Sequence, residues 1–133
     1  MTIQLGWLDT NVFVHNLFDN DPLAPRCREI VDALEAGTAE GWIDITVVHE
    51  LTYALSRFSQ FPSRQAVHDY VETILLRDNV HADDMEMLLD TLARWLTAGG
   101  SFVDVWLTIR AQRRGLPVCS ANRRHFPGVE NTF

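Results

Sequence analysis

Residues 3–9, IQLGWLD, decide the predicted fold because a short apolar segment ends directly on an acid. This segment predicts a strand, and helical spacing follows it from Thr10 to Phe18. The same succession begins again with a second strand predicted over Trp42 to Thr46. Short segments over residues 78–82 and 117–120 predict a third and a fourth strand. Strands that alternate with helices indicate an α/β domain built on a parallel sheet.

Capping residues mark the helices that separate these strands. Gly37 ends a helix that begins near Pro25, and Pro62-Ser63 begins another. Ser101 opens a further helix that runs to Gly115. Helices that connect parallel strands cover both faces of the sheet through right-handed crossovers. Functional sites of such open sheets lie at the carboxyl ends of the strands, so side chains at those ends are the first candidates for chemistry.

Composition sets the class of protein and excludes several others. The chain has 133 residues, of which 47% are hydrophobic and 22% charged, so we predict one globular domain over residues 1–133. The net charge of -7 argues against a nucleic-acid binder that works through bulk charge. The N-terminus does not resemble a signal peptide, and no apolar run approaches the ~18 residues that cross a bilayer. We therefore expect a cytoplasmic protein without membrane contact, with Cys27 and Cys119 as reduced thiols.

Three acids stand next to predicted strand ends or helix starts. Asp9 follows the first strand, Glu50 lies early in the helix after the second strand, and Asp104 lies in the first turn of the helix before the fourth. If those ends converge, the three carboxylates repel one another unless a cation joins them. Because oxygen ligands suit hard divalent cations, the acids predict a site for Mg²⁺ or Mn²⁺.

Each acid also has a purely structural explanation. Asp9 could cap a turn, and Glu50 could stabilise a helix start through the macrodipole. Ser101 and Asp104 have the spacing of a capping box, which would make Asp104 a helix cap rather than a ligand. One acid alone is weak evidence for a metal. The prediction depends on the placement of all three beside apolar segments.

Four segments in chain order share a recognisable pattern. The first three place an acid after a strand, on a helix and at a helix start, and the fourth is a strand followed by small and polar residues and a Phe. The segments are 8–11 (LDTN), 46–51 (TVVHEL), 101–107 (SFVDVWL) and 118–126 (VCSANRRHF). Together they resemble the motifs of the PIN-domain ribonucleases. In size the chain looks most like the VapC-type toxins of toxin–antitoxin pairs. The resemblance implies a PIN-like three-layer sandwich, with a central parallel sheet of four to five strands and helices on both faces.

The resemblance also implies an activity, partners and a fourth catalytic position. Members of the family cut RNA endonucleolytically with divalent metal, are commonly homodimers and are inhibited by a cognate antitoxin. Many have an Asp in the fourth motif where this chain has Asn122 or His125. Asn122 removes one negative charge but can offer a carbonyl oxygen, so a second metal would bind weakly or only with substrate. Asp9, Glu50, Asp104 and Asn122 are the predicted catalytic residues, and the three acids the predicted metal ligands.

Polar and basic residues near the same strand ends are candidates for substrate binding. Asn11, Thr46 and Ser120 could bond a phosphate, although local capping explains Thr46 and Ser120 equally well. Five of the eleven Lys and Arg residues fall within fifteen positions, and we predict that they track an RNA backbone. The alternative is that they pair with acidic residues of a protein partner. The five residues are Arg110, Arg113, Arg114, Arg123 and Arg124, of which the last two are assigned to the substrate site.

Other prominent side chains have plainer interpretations. His49 and His125 flank the motifs, and each is interpreted as a surface residue or a core-packing residue. The four Trp residues are interpreted as core or dimer contacts. The helices around residues 51–76 carry enough apolar surface to predict an oligomer contact. Two further functions stay open beside the toxin ribonuclease. One is a housekeeping nuclease of the same fold, and the other is a non-catalytic domain that binds RNA or a protein partner.

Overall fold

Three short strands lie parallel in one sheet in the computed structural model, which describes residues 1–133. The sheet has the order β1 (Ile3–Trp7), β2 (Ala39–Trp42) and β3 (Val80–His81). The helices are α1 (Thr10–His15), α2 (Ala24–Ala36), α3 (Ile45–Leu55), α4 (Arg64–Leu75), α5 (Met85–Trp95) and α6 (Phe102–Arg114), followed by a 3₁₀ turn at Arg123–His125. The α/β class and the parallel sheet are confirmed.

The chain divides into two compact units, Met1–Met85 and Glu86–Phe133. The first unit holds the whole three-stranded sheet and α1 to α4, with α1 packed against α2 and α3, and α4 against α3. The second unit holds nearly all of α5, together with α6 and the segment that follows it. The single domain over residues 1–133 stays a prediction. No helix combines the length and the apolar character that crossing a bilayer requires.

The end of β1 is fixed by a bulge and a close approach. The pairing of β1 with β2 shifts register between Gln4 and Gly6, and Gly6 has a φ of +76°, which a glycine adopts without strain. Beyond the bulge, the N–H of Leu8 donates to the Trp42 carbonyl at 2.7 Å. Leu8 is buried directly over Gly41, where an added Cβ would lie 2.8 Å from the Leu8 Cγ. The residue after Leu8 therefore leaves the sheet from a fixed position.

The second strand was predicted too late in the chain. β2 covers Ala39–Trp42, whereas the predicted strand over Trp42 to Thr46 contains the start of α3. Ile43 and Ile45 alternate as in a strand, but Asp44 between them is an N-cap whose carboxylate accepts the Thr46 N–H at 3.0 Å. An N-cap of this kind starts a helix at the next residue.

A sheet of four to five strands and a three-layer sandwich are not confirmed. Residues 117–120 form no strand of the sheet, but only an isolated bridge between Val118 and Asn131. In that bridge Val118 donates to the Glu130 carbonyl at 2.9 Å and accepts the Thr132 N–H at 3.0 Å. Pro117 has no N–H to extend the ladder, so the pairing stays short.

Helix ends follow the capping residues closely. Gly37 ends α2 and Gly115 ends α6, each in the left-handed conformation. Ser63 caps α4 by accepting the Ala66 N–H at 3.2 Å.

The prediction that the Trp residues are core or dimer contacts holds only in part, because Trp95 is buried whereas Trp7 is 64% exposed. Core packing is therefore wrong for Trp7, and a dimer contact there stays a prediction.

Candidate active site

Asp9 occupies the N-cap of α1 without using its carboxylate as a cap. Its backbone is extended, with φ -89° and ψ 156°, yet its side chain accepts no hydrogen bond from the helix. The residue is exposed, and its carboxylate has no partner elsewhere. The Asp9 side chain therefore does not act as a cap, which was its structural alternative. Its neighbour Asn11, a predicted substrate contact, is also exposed.

Glu50 lies on α3 and is held by a residue of α1. The hydroxyl of Thr10 donates to Glu50 Oε2 at 2.8 Å, across forty positions of the chain. Thr10 is only 7% exposed, so this hydroxyl is a largely buried donor with a fixed direction. Because Thr10 directly follows Asp9, the hydrogen bond ties the backbone at Asp9 to the side chain of Glu50. Sequence reasoning did not single out Thr10.

The start of α3 uses Asp44 rather than Glu50, whose structural alternative was to stabilise this helix start. Asp44 is the N-cap, and it accepts both the hydroxyl of Thr46 at 2.6 Å and its N–H. The hydroxyl and the N–H of Thr46 hold the pKa of Asp44 below its ordinary value of 3.8. Glu50 is the sixth residue of α3 and is not needed at the helix start. The Thr46 hydroxyl is used for local capping, which was the alternative to its predicted role with substrate.

Asp104 is a helix cap in the second unit. Its Oδ2 accepts the Ser101 N–H at 3.2 Å, while the Ser101 hydroxyl accepts the Asp104 N–H at 3.3 Å, which completes the capping box. The same Oδ2 lies 3.0 Å from Nδ1 of His125, and the Asp104 side chain is 18% exposed. Its Oδ1 has no hydrogen-bond partner, so a cation could still bind there. His125 lies at the surface, which was one of its two interpretations, and its ring is paired with Asp104.

The fourth motif leaves Asn122 exposed. Asn122 precedes the 3₁₀ turn, and its side chain makes no capping bond, although its N–H donates to the Ser120 hydroxyl at 3.0 Å. The Asn122 side chain therefore forms no Asx-turn with its own loop. Asn131 holds the segment from the other side, since its amide donates to the Ser120 carbonyl at 2.9 Å. Asn131 stands outside every motif, and no sequence signal marked it.

The predicted basic track is divided within the second unit. Arg124 is exposed and has no partner, whereas Arg123 donates to the Phe133 carbonyl at 3.1 Å. Arg113 pairs with Asp90 at 3.1 Å. Arg110 and Arg114 lie six and ten residues beyond Asp104, or roughly 9 and 15 Å along the axis of α6. Only Arg123 and Arg124 stay close in sequence to His125, the partner of Asp104.

The predicted metal ligands fit a hard cation by their chemistry. All three are carboxylates, with Asp9 unpartnered, Glu50 accepting from Thr10, and Asp104 keeping one free oxygen. The structure contains no group of three or more His, Cys, Asp or Glu side chains close enough to hold a metal ion. Asp9 and Glu50 belong to the first unit and Asp104 to the second. Ligation of one ion by all three therefore stays a prediction.

These features define an α/β fold in which acids follow parallel strands and begin helices. A family model described as "PIN domain" matches residues 7–130, which is nearly the whole chain and includes all four motifs. The chain therefore belongs to the PIN-domain family, which has a nuclease-type fold. PIN domains are generally nucleases that depend on divalent metal. No curated protein and no solved structure matches the chain at the threshold applied.

Proposed function

We propose that this protein is a divalent-metal-dependent endoribonuclease and the toxin of a type II toxin–antitoxin module. The observation that carries the proposal is the free carboxylate of Asp9 at the carboxyl end of β1. A helix N-cap whose acid makes no capping bond keeps both carboxylate oxygens available as ligands at that edge of the sheet. Membership of the PIN-domain family supports the same conclusion.

The acids divide the chemical work according to their surroundings. Asp9, Glu50 and Asp104 would hold Mg²⁺ or Mn²⁺, which supplies Lewis acidity and offsets the charge that develops on the phosphate. Glu50, directed by the Thr10 hydroxyl, orients the attacking water. His125 keeps Asp104 Oδ2 occupied, so Asp104 presents Oδ1. In-line attack on phosphorus gives a 5′-phosphate and a 3′-hydroxyl.

Asn122 affects how many cations the proposed site holds. Its amide contributes a dipole where many relatives contribute a full charge, so the site carries one negative charge fewer than theirs. We therefore propose one firmly held cation and a second that binds with substrate. The exposed side chain, free of any capping bond, supports a role towards solvent rather than towards its own turn.

The proposed partners are a second copy of the chain and a cognate antitoxin. Exposed apolar side chains on and after the helices around residues 51–76 support the dimer, including Tyr53 at 64% and Leu76 at 60% exposure. Light scattering coupled to gel filtration tests it: a monomer at micromolar concentration would contradict the dimer. Co-purification with the product of a neighbouring small gene would separate the toxin from a housekeeping nuclease.

Cleavage is tested with purified protein and total RNA, with Mg²⁺, with Mn²⁺ and with a chelator. We expect cutting with either metal and none with chelator. Asp9→Asn should abolish it, while Asp32→Asn, an exposed acid of α2, is the matched control and should cut normally. If the wild-type protein binds RNA but leaves it intact under every metal condition, the non-catalytic alternative is correct.

A further inference from the structure

A small cavity opens beside Asp104 in the second unit. It has a volume of about 220 Å³, and its walls include Gly99, Gly100, Thr108, Gln112, Arg124 and His125. This volume is below the ~300–1,000 Å³ of sites for drug-sized ligands, so it suits a single ring system. Gly99 and Gly100 contribute no side chains, and the apolar Val105 and Pro127 complete the lining. The cavity therefore has room for one planar group beside a partly apolar lining.

Two polar side chains of the cavity, Gln112 and Arg124, keep donors without partners, whereas Arg94, Thr108 and His125 are already paired. Gln112 Oε1 accepts from Arg94 Nη1 at 2.9 Å, which leaves its amide Nε2 free to donate. Arg94 is also neutralised by Asp90, whose Oδ1 lies 3.3 Å from its Nε. The Arg124 guanidinium has no partner at all. The site therefore presents one uncompensated cation and one neutral donor to a ligand rich in acceptors.

The cavity shares three of its walls with the surroundings of Asp104. His125 Nδ1 lies 3.0 Å from Asp104 Oδ2, and the Thr108 hydroxyl donates to the Asp104 carbonyl at 2.9 Å. A Cβ added to Gly100 would lie 3.0 Å from Asp104 Oδ2. A ligand in the cavity would therefore lie close to the Asp104 carboxylate, because His125, Thr108 and Gly100 border both.

We propose that this cavity takes one unstacked base of the RNA, with an acceptor edge of the guanine type, next to the phosphate that is cut. The inference rests on the proposed ribonuclease activity and adds a preference for one base. Arginine and amide donors match the O6 and N7 acceptors of guanine, and unpaired bases are the usual target of sequence-specific RNA recognition. Apolar walls around few donors suit a base better than a phosphate, which needs donors on several sides.

The test measures binding in chelator, so that it does not depend on cutting. Fluorescence anisotropy compares short U-rich single strands that carry G, A, C or an abasic residue at one central position. We expect the G strand to bind the wild-type protein about fivefold to a hundredfold tighter than the others. Gln112→Leu, which keeps the volume, and Arg124→Ala should each reduce this preference. Gln65→Leu and Arg26→Ala change exposed residues of α4 and α2 and should preserve it.

Competition then separates a base from a phosphate as the ligand. Guanosine, which has no phosphate, should displace the G strand from the wild-type protein more effectively than inorganic phosphate. The proposal of a base site would be overturned if inorganic phosphate displaces the G strand and guanosine does not. Equal affinity for all four strands would also overturn it. Because the binding assay contains no metal, this failure is distinct from failure of the proposed activity, which would show as intact RNA in the cleavage assay. Far-UV circular dichroism of each variant checks folding, and a preference that persists in folded Gln112→Leu and Arg124→Ala also overturns the proposal.

Discussion

Asp9 and Asp104 are both acids at helix starts, yet their surroundings differ. The Asp9 carboxylate is exposed and makes no capping bond. The Asp104 carboxylate accepts the Ser101 N–H, pairs with His125 and is 18% exposed. One acid is therefore free for a ligand, whereas the other also holds its helix together. In the proposed nuclease, activity and stability would be separable at Asp9 and combined at Asp104.

The largest expected effect comes from replacing these two acids by alanine. Loss of a metal ligand should reduce the rate of cutting by at least about a hundredfold in both variants. Mutation of a group that only hydrogen-bonds a ligand already reduces activity by about ten- to a hundredfold. Asp104→Ala should also lower the free energy of unfolding by ~1 kcal/mol, because the capping box is lost. Asp9→Ala should leave it unchanged or slightly raise it.

Urea denaturation in chelator, combined with an RNA cleavage assay, measures both quantities on the same preparations. Asp32→Ala serves as the control for removal of an exposed helix acid. Equal loss of stability in the Asp9 and Asp104 variants would show that Asp104 stabilises its helix no more than Asp9 does.

The next prediction tests whether Thr10, the neighbour of Asp9, orients Glu50. Thr10→Val removes the donor to Glu50 at nearly constant volume, so Glu50 loses its orientation while the core stays filled. We expect cutting to fall about tenfold to a hundredfold, as for other groups that position a ligand. Thr73→Val removes a hydroxyl that bonds only the Asp69 carbonyl on α4, and it should cut normally. A normal rate for Thr10→Val would exclude Thr10 as a positioning residue.

A smaller effect is expected where the fourth motif lacks an acid. At an effective dielectric near 20, two unit charges ~4 Å apart interact by ~4 kcal/mol before desolvation. A tenth to a half of that energy changes affinity by roughly twofold to thirtyfold. Asn122→Asp should therefore tighten Mn²⁺ binding and lower the stability of the metal-free protein. Calorimetric titration with Mn²⁺ measures this directly, and identical affinities would place Asn122 outside the metal site.

The smallest effect concerns Asp44, an acid that serves only as a cap. Its folded pKa is lowered by the hydroxyl and the N–H of Thr46, so its stabilisation is complete above the unfolded pKa and is lost as pH falls through the folded pKa. Asp44→Ala should cost ~1 kcal/mol near pH 7. The difference from wild type should shrink below about pH 4. Thermal melts at pH 7 and pH 3 test this, and a constant difference would contradict it.

Local signals predicted the helix ends well, and distant contacts could not be predicted. Ser101 and Asp104 are three residues apart, so their capping box was visible in the sequence. Thr10 and Glu50 are separated by forty positions, and only the folded chain brings their side chains together. The position of β2 was missed for a different reason. The alternation of Ile43 and Ile45 is typical of a strand, and the capping by Asp44 that overrides it is a competing local signal.

The four short motifs predicted the family, because a sequence shows directly which acids stand beside predicted strand ends and helix starts. The partner of Asp104 could not be anticipated. His125 lies twenty-one positions later, in a turn whose path depends on Asn131 and on the short bridge at Val118. Such irregular segments have no periodic pattern, so their side-chain partners depend on tertiary contacts alone.

Gly41 carries no chemistry, yet the close approach of Leu8 gives it a consequence for mutational tolerance. Any side chain at position 41 would meet Leu8 Cγ, Cδ1 and Cδ2 at 2.8 to 2.9 Å, and Leu8 is too deeply buried to move aside. Its displacement would shift the adjacent Asp9. In a saturation screen for RNA cleavage, position 41 should therefore resemble a catalytic position, with alanine nearly as damaging as a bulky residue.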